Sequence, residues 1–255
     1  MTLEIITVAC LSDNYAFLIH DDVSGETALV DAPDAAPIIK VLDDRGWTLN
    51  WVLLTHHHDD HVQGVRELVR TYHPQVIGCA ADSYRLPPLD HQVLDGDTFS
   101  ICGNEIEVWD VSGHTIGHIA YIIHGANAAF TADGLMALGC GRVFEGTFDQ
   151  MWDSLSKFAS LPDETLIYSG HEYTASNGRF ALSIDAGNPA LEARIAKIDE
   201  IRGAGGFTVP STLGLERATN PFLRASNPEL KQKLGMGSDA DSAVFAAVRQ
   251  QKDRF

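Results

Sequence analysis

Cysteine is scarce in this chain, and its spacing forms no cluster. Cys10, Cys79, Cys102 and Cys140 lie far apart, with no C-x-x-C among them. A thiolate zinc cluster is excluded and a disulfide framework is disfavoured. The four read as reduced, small buried hydrophobes of a cytosolic protein. Long apolar runs are also missing: none approaches the roughly 18–20 residues that span a bilayer. The N-terminus lacks a basic region and carries Glu4, so no signal peptide is expected. Positive charge is thin, with 18 Lys and Arg against 35 Asp and Glu and a net charge of −17. That balance argues against a general nucleic-acid or anionic-membrane surface. Internal repeats and low-complexity linkers are absent too.

What remains is ordinary globular material. The 255 residues are 45% hydrophobic and 21% charged, enough for one large domain or a domain plus an extension.

The stretch that stands out is Thr55-His56-His57-His58-Asp59-Asp60-His61. It follows Trp51-Val52-Leu53-Leu54, a short apolar run that reads as a buried strand. It precedes Val62–Arg70, which reads as an amphipathic helix. Ligands of open α/β sheets sit at such strand ends. His56 and His58 are two apart, so an extended chain aims both to one side. Asp60 and His61 follow where the chain turns. Imidazole and carboxylate donors without thiolate fit a hydrolytic metal site better than a structural zinc. A solvated His-rich tract is the bland alternative, and an internal, Asp-interleaved, strand-launched segment fits it poorly. His57 and Asp59 fall on spacer positions.

In chain order, strands are expected over Leu3–Leu11, Tyr15–His20 and Thr27–Asp31, with Ser12-Asp13-Asn14 as a turn. A helix spans about Ala35–Arg45 and closes at Gly46. Further strands are expected at Val76–Ala80, Glu105–Val111, Ile119–His124 and Ala128–Thr131. Strands alternating with a few helices predict α/β layers. After about residue 172 the pattern turns helical: Asn188 caps a helix with Pro189 at its first position, and Leu191, Ile195 and Ile198 keep helical spacing until Gly203. Pro228–Leu234 and Asp239–Lys252 follow as helices.

Three more strand ends carry candidate donors. Gly113-His114 lies in a glycine-rich loop, Asp133 follows Phe130-Thr131-Ala132, and His171 follows Tyr168-Ser169-Gly170. Alone, His114 reads equally as a ligand or a satisfied histidine, and Asp133 as a turn aspartate. Together with His56–His61 they put a donor after each of four strands, as a shared metal cleft requires. His20, His73, His91 and His124 stand singly and take ordinary roles, and His118 a local hydrogen bond.

These motifs resemble a known family. Thr55–His61 is similar to the THxHxDH signature of the metallo-β-lactamase superfamily. More narrowly, GHTIGH at 113–118, FTADGLMALGCGRVFEGT at 130–147, YSGHEYTASNGRFAL at 168–182 and PSTLGLERATNPFLR at 210–224 resemble the hydroxyacylglutathione hydrolases, or glyoxalase II enzymes. The resemblance implies an α/β fold, an αββα sandwich followed by a C-terminal helical domain. It implies a metal-binding catalytic part over 1–172 and a glutathione-binding part over 173–255. Two divalent ions (zinc, iron or manganese) are implied, His56, His58 and His114 holding the first and Asp60, His61 and His171 the second. Asp133 would bridge both, with Asp60 or Asp133 taking a proton from water. Arg142, Phe144, Tyr173, Arg249 and Lys252 would contact glutathione. From spacing alone, Arg249 and Lys252 read as solvated cations near a helix C-terminus. Phe144 stands where many members carry tyrosine, so one hydroxyl contact is expected to be missing. The implied reaction is hydrolysis of S-(2-hydroxyacyl)glutathione thioesters, typically S-D-lactoylglutathione, by a cytoplasmic monomer with no nucleic-acid or membrane partner. A lactonase, a β-lactamase, a nuclease, a one-iron persulfide dioxygenase and a non-catalytic glutathione-binding module are the competing readings. The acidic balance disfavours the nuclease.

Overall fold

A computed structural model describes residues 3–255; Met1 and Thr2, part of the stretch read for a signal peptide, lie outside the described residues. The chain divides into two compact units. One comprises residues 1–111 and 116–132, the other 112–115 and 133–255.

The first unit holds a six-stranded sheet in simple sequence order: Leu3–Cys10, Asn14–Asp21, Thr27–Val30, Trp51–Leu53, Gln75–Cys79 and His91–Val93. The first three strands are antiparallel, with Leu3 opposite Asp21 and Phe17 opposite Val30. The remaining pairings are parallel. Every residue of Asn14–Asp21 is buried, which is why its apolar run shows no alternation. Four more strands, Thr98–Ile101, Asn104–Asp110, Ile119–Ile123 and Ala128–Ala132, form an antiparallel run. Within Asn104–Asp110, Ile106 and Val108 are buried and Glu105 is exposed, the signature of a one-sided strand.

Helix Ala35–Arg45 closes at Gly46 as expected, with φ 68°, and at its start Asp34 accepts from the Ala36 amide. It packs Ile38 and Leu42 into a core with Leu18, Leu29, Val52, Leu54, Val65 and Leu68. Each such fully buried aliphatic side chain contributes about 1.5–3 kcal/mol.

The helix expected over Val62–Arg70 is interrupted. The structure has a single turn, Asp59–Val62, and then Val65–Tyr72. The reason lies at Gly64: its amide donates to the Ala32 carbonyl at 2.8 Å, and a Cβ there would sit 2.8 Å from that oxygen. The chain passes too close to residue 32 to carry a side chain.

The second unit is mainly helical: Phe148–Lys157, Thr174–Ile184, Pro189–Gly203, Leu213–Thr219, Pro228–Lys233 and Asp241–Lys252. Short strands also occur, Leu135–Met136 with Gly139–Cys140 and Leu166–Ser169 with Ser211–Thr212. Thr147 and Gln150 make a capping box at the first helix. Asn188 caps Pro189–Gly203 by accepting from two amides. A small core of Leu138, Ala181, Leu191 and Ile198 lies beneath. Beside it, buried Glu216 accepts from Arg194, Ser211, Asn220 and the Leu138 amide, and Arg194 also donates to Thr219 Oγ1 at 2.7 Å.

Among the described residues, no helix is long and apolar enough to cross a membrane. All four cysteines are free and buried. Burial pushes the Cys10 and Cys102 thiols up to about 12 and Cys140 up to about 11, so they behave as inert small hydrophobes.

Candidate metal centre

In the first unit the histidine loop is held from below by Asp31, at the end of strand Thr27–Val30. Asp31 takes the left-handed φ of 57°. Its Oδ1 accepts the Thr55 amide at 2.9 Å, and its Oδ2 accepts both the Thr55 hydroxyl and His61 Nδ1 at 2.8 Å. Proton counting then assigns the rings. A carboxylate only accepts, so His61 carries its proton on Nδ1 and leaves Nε2 as a lone-pair donor. The Thr55 hydroxyl gives its one proton to Asp31, so at 3.0 Å it accepts from His56 Nδ1. That leaves Nε2 of His56 as a lone pair, 3.2 Å from Nδ1 of His58. Two imidazole nitrogens at that spacing either share a proton or turn together to a cation. Ligand donor atoms of Asp31, His56 and His61 lie within 4.8 Å of one another. The Asp31 oxygens are already taken by three protein donors, so we read Asp31 as orienting the histidines.

Asp60 sits beside His61, Oδ2 to Nε2 3.9 Å. Asn14 Nδ2 pins it by donating to both its backbone oxygen, at 2.9 Å, and its Oδ2, at 3.0 Å. His57 turns to a different partner, buried Asp82, whose Oδ2 lies 2.9 Å from Nδ1. His118 is buried and stacks on His56 at 4.6 Å.

In the second unit His114, Asp133 and His171 gather around one atom. Nε2 of both histidines lies 3.4 Å from Asp133 Oδ2. His114 Nδ1 donates to the Arg142 carbonyl at 2.7 Å, again leaving Nε2 as the donor lone pair. The close packing here excludes any side chain at residue 141: a Cβ on Gly141 would lie 2.1 Å from the Asp133 carbonyl and 2.8 Å from His114 Nδ1. His171 stacks flat on Tyr173, centroids 4.6 Å apart.

The donor set therefore fits a hard or borderline cation. Three rings have one nitrogen committed to a protein acceptor and the other presented as a lone pair, the orientation found in ligating histidines. Sequence reasoning named His56, His58, Asp60, His61, His114, Asp133 and His171. It missed Asp31 and Asn14. Asp31 shared the visible signal of Asp133, an acidic residue closing an apolar strand.

The residues assigned to glutathione are placed as follows. Arg142 is half-exposed, its guanidinium 5.9 Å from the Phe144 ring centre. Phe144 is exposed and its ring lies 5.3 Å from that of His114. Tyr173 is partly exposed. Arg249 is only 4% exposed: it donates to the Cys140 carbonyl at 2.8 Å and sits over Phe222 at 5.0 Å. The expectation of a solvated cation fails for it, because its guanidinium is used inside the protein. Lys252 lies over Phe180 and Phe255. Burial, and then the nearby charges of Arg249 and Arg179, hold its ammonium below the usual lysine range.

Two family descriptions match the sequence in succession: "Metallo-beta-lactamase superfamily" over residues 12–171 and "Hydroxyacylglutathione hydrolase C-terminus" over residues 172–255. The chain is 61% identical to a hydroxyacylglutathione hydrolase of Ruegeria pomeroyi and 58% identical to one of Roseobacter denitrificans, each alignment covering 100% of both chains. Among solved structures it is similar to ETHE1 from Myxococcus xanthus, with TM-score 0.65 and 23% identity over 99% of this chain and 98% of that one. It is also similar to the BLEG-1 B3 metallo-β-lactamase, with TM-score 0.65 and 22% identity over 87% of this chain and 99% of that one. At these identities the structural likenesses speak to the fold, which is that of the metallo-β-lactamases.

Proposed function

Because this chain belongs to the hydroxyacylglutathione hydrolase family, we propose that it hydrolyses the thioester of S-(2-hydroxyacyl)glutathione, typically S-D-lactoylglutathione, to glutathione and D-lactate. The observation that carries the chemistry is the orientation of the histidines: His56, His61 and His114 each turn Nδ1 to a protein acceptor, the arrangement found in ligating histidines. The full-length identity to named hydrolases supports the substrate class.

By family position, His56, His58 and His114 would hold one divalent ion and Asp60, His61 and His171 a second, with Asp133 shared. We assign zinc first, with iron and manganese compatible with the same nitrogen and oxygen donors. Ions so bound supply a Lewis acid and lower the pKa of water from 15.7 to about 7. Asp60 and Asp133 are the carboxylates assigned to receive the proton of the attacking water. Asn14 steadies Asp60 for that role through Oδ2. The leaving thiolate is that of a cysteine thiol of ordinary pKa about 8.5, so it departs without a dedicated acid. Arg142, Phe144, Tyr173, Arg249 and Lys252 form the glutathione-recognition set. Residues 1–172 carry the chemistry in this reading, with Arg142 and Phe144 among the substrate contacts, and 173–255 form the glutathione-binding domain that supplies the rest. The four buried free thiols agree with a reducing compartment, and we assign a cytoplasmic monomer.

The test is kcat/KM for S-D-lactoylglutathione with metal content measured on the same preparation. Efficient turnover with about two ions per chain, abolished by chelation, is expected. Negligible turnover by a fully metal-loaded protein would overturn the substrate assignment, and turnover of a lactone or of glutathione persulfide in its place would identify the replacement.

A further inference from the structure

A carboxylate that no recognition role uses lies among the cations assigned to glutathione. A single oxygen, Oδ1 of Asp253, accepts Nε of Arg142 at 3.2 Å and Nη2 of Arg249 at 3.0 Å. The two arginines reach it from opposite ends of the second unit's sequence, 111 and 4 residues away. We propose that Asp253 is a positioning residue for substrate recognition, presetting Arg142 to receive a carboxylate of glutathione; this rests on the reading that Arg142 binds glutathione.

The geometry gives the three residues different duties. Arg249 is immobile: it is buried, donates to the Cys140 carbonyl and lies over Phe222. Asp253 is fixed just past the last helix, its amide bonded to the Arg249 carbonyl at 2.9 Å. Arg142 is the adjustable member. Its side chain is 54% exposed, held by the Asp253 carboxylate and lying against the Phe144 ring. An exposed arginine has many rotamers, and ordering it on binding weakens affinity. Asp253 does that ordering in the free protein. It does so through Nε, leaving the terminal Nη fork, the part that matches a carboxylate bidentately, for an incoming anion. The trio stays net cationic, two guanidinium groups against one carboxylate, so an anion is still attracted.

The main chain of the same residue extends the consequence. The Arg142 carbonyl accepts from His114 Nδ1 at 2.7 Å. Residue 142 thus orients a candidate ligand with its backbone and a substrate contact with its side chain. Asp253 acts on the second and leaves the first, so its effect belongs in KM.

The experiment uses metal-loaded wild type, D253N, D253E, R142A and D253N/R142A. Each is assayed for kcat and KM with S-D-lactoylglutathione, for glutathione Kd by calorimetry, and for metal content and melting temperature. D253N is expected to raise KM and glutathione Kd about tenfold with kcat within about threefold, D253E to recover part of the loss, and D253N to add less than about twofold once Arg142 is gone. If R142A raises KM but D253N does not, Asp253 has no positioning role and the recognition reading survives. If R142A leaves KM unchanged, the recognition reading fails and this proposal with it. A fall in KM in D253N would show that Asp253 competes with substrate, and parallel losses of kcat, metal and melting temperature in both D253N and D253E would show a merely structural carboxylate; either result overturns the proposal.

Discussion

His61 Nδ1 is bonded to Asp31 Oδ2 at 2.8 Å, across 30 residues of sequence and with both side chains buried. That one contact sets the tautomer of a candidate ligand. Through the Thr55 hydroxyl, the same carboxylate also sets His56. The candidate ligand nitrogens of His56 and His61 are therefore aimed from a residue outside the histidine motif.

Replacing Asp31 should cost metal before it costs fold. Asn tolerates the left-handed backbone at φ 57°, so D31N isolates the loss of the carboxylate. Outer acceptors of this kind typically contribute 10–100-fold in metal affinity. Chelator competition should show a drop of about that size in D31N at near-native circular dichroism. Wild-type affinity would remove Asp31 from the site.

Phe144 invites the opposite kind of change, a gain. It is exposed, beside the Arg142 guanidinium and the His114 ring, and its ring carries no hydroxyl. F144Y adds one hydrogen-bonding group. A net contribution of about 0.5–1.5 kcal/mol predicts a KM lower by about two- to tenfold, with kcat little changed. An unchanged or higher KM would mean that the ring position is not a glutathione contact.

Lys252 should make substrate binding sensitive to alkaline pH. Burial chiefly, then Arg249 and Arg179, lower its pKa from the ordinary 10.5. A lowered lysine pKa means that the charged form is present below it and is lost as pH rises through it. If Lys252 holds a substrate carboxylate, KM stays low near neutrality and climbs at a pH where an ordinary lysine would still be charged. In K252R the climb should vanish, because arginine keeps its charge. A KM profile identical in both proteins would contradict the assignment.

The buried Arg194–Glu216 pair predicts a stability effect away from the chemistry. Glu216 is fully buried and accepts from four donors. R194A removes its counter-ion and strands the carboxylate, which costs about 3–5 kcal/mol in such settings. Urea unfolding of the metal-loaded protein measures the loss. A change below about 1 kcal/mol would show that hydrogen bonds from Ser211, Asn220 and the backbone suffice to hold the charge.

Local pattern was enough to find the strand ends and the candidate donors near them, while the ligand roles of His114 and Asp133 rest on their company and on the resemblance. Strand–loop–helix at 51–70, with His56 and His58 two apart, and apolar runs ending at His114, Asp133 and His171 are features that neighbouring residues specify by themselves. The helix caps at Gly46 and Asn188 were legible for the same reason: a cap bonds to backbone groups a few residues away. No expectation names the helices Phe148–Lys157 and Thr174–Ile184; the other features that periodicity leaves unread are shorter than its own period or longer than its reach. The strands Leu135–Met136, Gly139–Cys140 and Ser211–Thr212 are too short to alternate. The break at Gly64 depends on the Ala32 carbonyl, the steadying of Asp60 on Asn14, and the ring orientation of His61 on Asp31. The burial of Arg249 depends on Cys140 and Phe222, and its ion pair on Asp253. The sequence by itself determined which residues are proposed to carry metal chemistry. Only the tertiary structure decided how they are aimed, since each aiming contact joins groups that the chain's local geometry does not bring together.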